Sequence, residues 1–130
     1  MKYAILIYSN PASRQIWEGL SDAQRAAGFE VYGAINDDLT SSGELVATEA
    51  LADPSQAKRV LTREGRTMTV DGPFAEVKEH LAGFYLVDCD SFERAVEIAA
   101  RVPEAALIPP LAPQHGFVEV RPVMDYTVGP

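Results

Sequence analysis

A chain of 130 residues that is 47% hydrophobic matches one globular domain, residues 1–130, with one core. Its 11 basic and 19 acidic residues give a net charge of −8, which argues against the clustered cations that nucleic acid requires. The single cysteine, Cys89, excludes an intrachain disulfide and a cysteine-rich zinc site.

The chain opens with Met-Lys and runs straight into a strand-like segment, unlike a signal peptide, and no apolar stretch approaches a membrane span. A cytoplasmic protein with no membrane partner is expected. Lys2 to Tyr8 is a short, nearly continuous apolar run, which predicts a central strand covered on both faces. Asn10-Pro11 breaks it. Ser21 and Gln24 have capping-box spacing, and Ala27, Val31, Ile35 and Leu39 then recur at helical spacing as far as Ser41-Ser42-Gly43. Gly28 and Gly33 inside this helix each cost about 1 kcal/mol relative to alanine, so tertiary packing must hold it.

Glu44 to Leu51 reads as a second strand closed by Asp53-Pro54. Lys58 to Thr62 and Thr67 to Val70 flank Glu64-Gly65 as a hairpin. After Asp71-Gly72-Pro73-Phe74, a helical turn is expected over Ala75 to Glu79. Leu81 to Cys89 is another apolar strand, with Cys89 read as a packed thiol because no partner that would lower its pKa is nearby. Asp90 with Glu93 predicts the start of a second helix, with Phe92, Ala95, Val96 and Ala99 on its buried face and Pro103 ending it. Pro103 to Gly116 contains Pro103, Pro109, Pro110 and Pro113 and reads as a stiff loop. Phe117 to Val123 is the last strand, and Pro122 confines that end to an edge or bulge.

Without the hairpin, the order is strand, helix, strand, strand, helix, strand. The expected fold is therefore α+β, a ferredoxin-like βαββαβ antiparallel sheet with an added β-hairpin and both helices on one face. The strands carry apolar residues on both faces, so the uncovered face is expected to bury against a second copy in a homodimer.

Asp71-Gly72-Pro73-Phe74 follows an extended run. Pro73 fixes φ and Gly72 widens the accessible backbone, so the pair shapes a bend that Phe74 anchors. Asp71 at the turn entry can accept from backbone N–H groups, and it can also serve as an acid or base. The block Val70-Asp71-Gly72-Pro73-Phe74-Ala75-Glu76-Val77-Lys78-Glu79, followed by Ala82-Gly83-Phe84-Tyr85-Leu86, resembles the signature of the YCII-related proteins that carry a DGPF motif. Met1 to Tyr8 and His115 to Val123 are similar to the ends of that family, so the resemblance spans nearly the whole chain. It implies a ferredoxin-like fold assembled as a dimeric α/β barrel. Val77, His80 and Ala82 stand where the family usually has Thr, Gln and the first Gly, so any ligand contact made by those side chains is absent here. The wider group implies a His and Asp pair in a pocket at the dimer interface, and because that pair does not map cleanly onto this sequence it is not carried over to any residue here.

His115 and His80, with Asp71, Glu49, Glu76 and Glu119, are the residues from which a histidine–carboxylate acid–base site can be built, since an unperturbed imidazole titrates near neutrality. His115 stands at a loop-to-strand junction, where it either lines a pocket or fastens the loop. Glu49 is either solvent-facing or paired on the sheet face, with Arg121 as its expected protein partner. Glu119 and Arg121 share one strand face, and Tyr8 ends its strand within reach of a pocket. Two function classes follow. One is a small-molecule enzyme with His115, Asp71 and Glu49 as catalytic candidates and Tyr8, Glu119 and Arg121 as pocket candidates, needing no metal or cofactor. The other is a non-catalytic small-molecule-binding or regulatory module. The resemblance adds a link to extracytoplasmic-function sigma factors, beside which DGPF proteins are commonly encoded.

Overall fold

A computed structural model describes residues 1–72, 74, 79–103 and 116–124. The chain runs β1 (Lys2–Ser9), α1 (Pro11–Glu18), α2 (Asp22–Ser42), β2 (Leu45–Ala50), a 3-10 turn (Pro54–Gln56), β3 (Lys58–Arg63), β4 (Arg66–Asp71), β5 (His80–Asp88), α3 (Phe92–Ala99) and β6 (Val118–Pro122). Four strands form an antiparallel sheet in the order β2-β5-β1-β6, while β3 and β4 pair separately. The protein is α+β, and this order is compatible with a ferredoxin-like arrangement.

Strand alternation divides the sheet into two faces. Tyr3, Ile5 and Ile7 of β1 and Tyr85 and Val87 of β5 point to one side, where Ile35 and Leu39 of α2 and Ala95 and Ile98 of α3 cover them. Ile5, Leu39 and Ile98 are wholly buried, each contributing about 1.5–3 kcal/mol. Cys89 joins this core, and burial pushes its thiol pKa up, as expected of a packed rather than a reactive cysteine. The opposite face carries Ala4, Leu6, Phe84 and Leu86 in cross-strand register, all half-buried in the single chain. β1 is thus central, but helices cover only one of its two faces. Pro122 lies on the edge strand β6, where its missing N–H costs no ladder bond.

Local chemistry explains each helix. Asn10-Pro11 starts α1 as well as ending β1. Asn10 Oδ1 accepts from the Ser13 N–H at 2.8 Å, Ser13 Oγ accepts from the Asn10 N–H at 2.9 Å, and Pro11 takes the first helical position. The sequence reading saw only the break. Ser21 and Gln24 cap α2 reciprocally, and Gly43 ends it in the left-handed region at φ 79°. The cap of α3 is Ser91 rather than Asp90: its Oγ accepts from the Arg94 N–H at 3.0 Å. Ala95, Ile98 and Ala99 make the buried face, whereas Val96 and Phe92 are exposed, with the Phe92 ring edge-on to Tyr3. The sheet, not the apolar pattern of this short helix, fixes its rotation.

One ion pair ties these pieces together. Arg94 Nε and Nη2 donate to Glu44 Oε2 and Oε1 at 3.0 and 2.9 Å, joining α3 to the α2–β2 junction. The hydrogen bonds from Arg94 hold the Glu44 carboxyl below its ordinary value of 4.5. A depressed carboxylate pKa stabilises the fold fully above the unfolded value, and that contribution fades as pH falls through the folded value. Denaturant titrations from pH 6 downward should therefore show stability falling below about pH 4.5, and Glu44→Gln should shallow that fall.

Candidate functional site

Both buried side chains of α2, Ile35 and Leu39, lie in its C-terminal half, so its N-terminal half does not seat on the sheet. The space left there is a cleft of about 660 Å³ between α1, α2 and the helix-side face of β1, β2 and β5. Trp17 of α1 and Phe29 and Tyr32 of α2 form an aromatic wall, with Trp17 and Phe29 edge to face at 5.4 Å. Ile7, Thr48 and Tyr85 form the sheet-side wall. Gly28, Tyr32 and Asn36 recur every four residues and so lie along one stripe of α2 that faces this space. The Asn36 Oδ1 atom is buried and has no hydrogen-bond partner.

A polar cluster forms the rim. The capping box at Asn10 places Arg14 on the first full turn of α1, facing Ser9 and His80, which pair across β1 and β5. Arg14 Nη1 donates to Ser9 Oγ at 3.3 Å and lies 3.3 Å from His80 Nδ1. A guanidinium has only donors, so Nδ1 must accept and the ring proton resides on Nε2. Nε2 is buried and has no partner either. Asp53, which caps the 3-10 turn, brings its carboxylate to 3.9 Å from Arg14 Nε. Its pKa is lowered chiefly by the Ser55 backbone N–H, with a smaller Coulombic contribution from Arg14. Arg14, Ser9 and Asp53 line the cleft.

The residues singled out from the sequence lie in several places. Asp71 ends β4 on the separate hairpin, where the register sets it opposite Lys58 at 3.7 Å and leaves it exposed. Gly72 then turns tightly: its N–H donates to the Ala57 carbonyl at 2.7 Å, and a Cβ there would come within 2.9 Å of the Pro54 carbonyl. Phe74 sits beneath the Arg59 guanidinium at 3.8 Å and is not part of the core cluster. Glu49 borders the cleft, yet its register with Phe84 turns its side chain to the opposite sheet face. Arg121 is on that face too, but β2 and β6 are opposite edges of the sheet, about 14 Å apart. The Glu49–Arg121 pair expected from sequence therefore cannot form within one chain. Glu119 and Arg121 are both exposed on β6, and Tyr8 stacks on Phe117 at 4.7 Å. His115, the helical turn at 75–78 and the loop at 104–115 lie outside the described residues.

Arg14, Asn36 and Asp53 were not singled out as site residues from the sequence, and His80 was named there as a secondary acid–base candidate and as a family departure. The Asn-Pro cap was the available signal for Arg14, since it starts a helix that carries the arginine back over the strand end. Among the described residues, no group of three His, Cys, Asp or Glu side chains is placed to hold a metal ion, and no helix is long and apolar enough to cross a membrane.

The chain belongs to the YCII-related family: the family model described as the YCII-related domain matches residues 1–127. It is also similar to an uncharacterized protein of Rhizobium meliloti (strain 1021), with 32% identity over 129 residues that cover 99% of this chain and 97% of that one.

The Arg14–His80 contact is testable directly. Long-range proton–nitrogen spectra should show His80 as the Nε2–H tautomer, and Arg14→Leu should release it to a mixture of tautomers. A protonated Nδ1 in the native protein would overturn the assignment.

Proposed function

We propose that this protein is a small-molecule enzyme that holds its substrate in the cleft between α1, α2 and the sheet, with the rim cluster as acid–base groups. One observation carries this reading. The His80 ring is held by Arg14, which itself lines a concave, aromatic-walled space of ligand size, and its buried Nε2–H has no partner. In this role Arg14 orients the imidazole, His80 moves a proton, and Asp53 balances the guanidinium charge. Glu49, His115 and Asp71 remain catalytic candidates, with Tyr8, Glu119 and Arg121 as pocket candidates beside them.

A non-catalytic binding or regulatory module is the second reading, and it too has a specific support. Among the described residues, the hydrogen-bonding neighbour of His80 Nδ1 is a guanidinium, not a carboxylate that could stabilise a protonated ring.

The same reading includes a ferredoxin-like dimeric barrel assembled through the open sheet face. Ala4, Leu6, Phe84 and Leu86 form an apolar centre there, with Glu49 at one edge and Arg121 at the other. A two-fold axis between two such faces and along the strands would bring unlike edges of two copies together, making available the charge pair that one chain cannot form.

Three measurements test these proposals. A metabolite-library thermal-shift screen should yield a compound that stabilises the native protein and loses most of its effect in Arg14→Leu. Mass spectrometry of that compound after incubation should show turnover, reduced at least about 100-fold in His80→Gln. A hit that binds and emerges unchanged favours the second reading. Sedimentation should give a dimer for the native chain and a monomer for Leu6→Glu, and a native monomer would remove the barrel.

A further inference from the structure

Asn36 is the feature that the acid–base reading leaves unused. Its buried Oδ1 is an acceptor without a donor, and its backbone position on α2 puts it on the same stripe as Tyr32, facing the cleft. A buried amide oxygen left unpaired is costly, so native structures rarely keep one without a use. The surroundings narrow that use. The nearby wall is aromatic, from Trp17, Phe29 and Tyr32, which favours a flat apolar body over a flexible polar one. The cation at the rim, Arg14, is already engaged by Ser9, His80 and Asp53, while Glu18 adds a further carboxylate to the lining. Among the described residues of the lining, an anionic ligand would therefore meet carboxylates and no cation other than the engaged Arg14.

We infer that the cleft takes a flat, uncharged ring compound bearing a hydroxyl or comparable hydrogen-bond donor, and that Asn36 is its specificity-determining residue. This rests on the cleft being the ligand site proposed above. The ring lies along the aromatic wall, and its donor satisfies Asn36 Oδ1. A molecule of the same shape without the donor would bury the amide oxygen unpaired, and such sites discriminate strongly. A carboxylate in place of the hydroxyl would supply an acceptor where a donor is needed.

Three probes on one ring system separate these features: 2-naphthol, 2-methoxynaphthalene and 2-naphthoate. Trp17 is the sole tryptophan of the chain and lines the cleft, so its indole N–H resonance reports occupancy. Titrations of the full chain should show 2-naphthol binding at least about tenfold tighter than the methyl ether, with the carboxylate weakest. Asn36→Leu should erase the preference between the first two, and Asn36→Ala, which removes the amide without adding bulk, should do the same if the leucine variant does not fold. Equal affinity of naphthol and its ether in the native protein, a preference that survives both variants, or tightest binding by the carboxylate would overturn the inference while leaving the cleft as a binding site. Failure of all three probes to move the Trp17 signal would overturn both.

Discussion

The antiparallel pairing of β1 with β5 is the constraint on which the rest depends. It sets Ile5 beside Tyr85 and Tyr3 beside Val87, so the apolar residues of the two central strands share the face that the helices cover. The same ladder ends with Ser9 opposite His80, past an irregularity after Ile7. A slip of one residue would turn one of the two apolar sets, that of Ile5 or that of Tyr85, outward and shift His80 relative to Arg14. Core and rim cluster are thus fixed by one register.

The cleft has a different origin. α2 runs from Asp22 to Ser42, but its apolar anchors, Ile35 and Leu39, come late. Its first half is held by a reciprocal cap and by the aromatic contact between Trp17 and Phe29, rather than by burial against the sheet. A helix anchored at one end leaves a wedge at the other. Thr48 and Tyr85, which a uniformly packed helix would cover, border that wedge instead. The polar atoms left unpaired in this region, Asn36 Oδ1 and His80 Nε2, are groups that a closed apolar core would not tolerate.

Much of the fold was legible in the sequence because its signals are local. The Ser21–Gln24 box marked the start of α2 and Ser41-Ser42-Gly43 its end, since cap chemistry depends on neighbours a few positions apart. Apolar runs located the strands of the main sheet, and Pro122 marked an edge. Asn10-Pro11 misled because the same dipeptide ends a strand and starts a helix. The rotation of α3 was misread because a helix of eight residues can turn its apolar positions either way until a sheet selects one.

The site was far less legible. Arg14, Asp53 and His80 are separated by tens of residues and meet only because α1 folds back over the end of β1 while β5 pairs beside it. Asp71 looked chemical beside its turn, yet the hairpin register gives it Lys58. Glu49 and Arg121 looked like partners, yet the strand order puts them on opposite edges. The sequence by itself determined the family, through the resemblance of three separated blocks, and the α+β class and the position of most elements, because composition, periodicity and caps act over short range. Only the tertiary structure decided which polar groups converge on the cleft, because strand order and register, not sequence separation, set those distances.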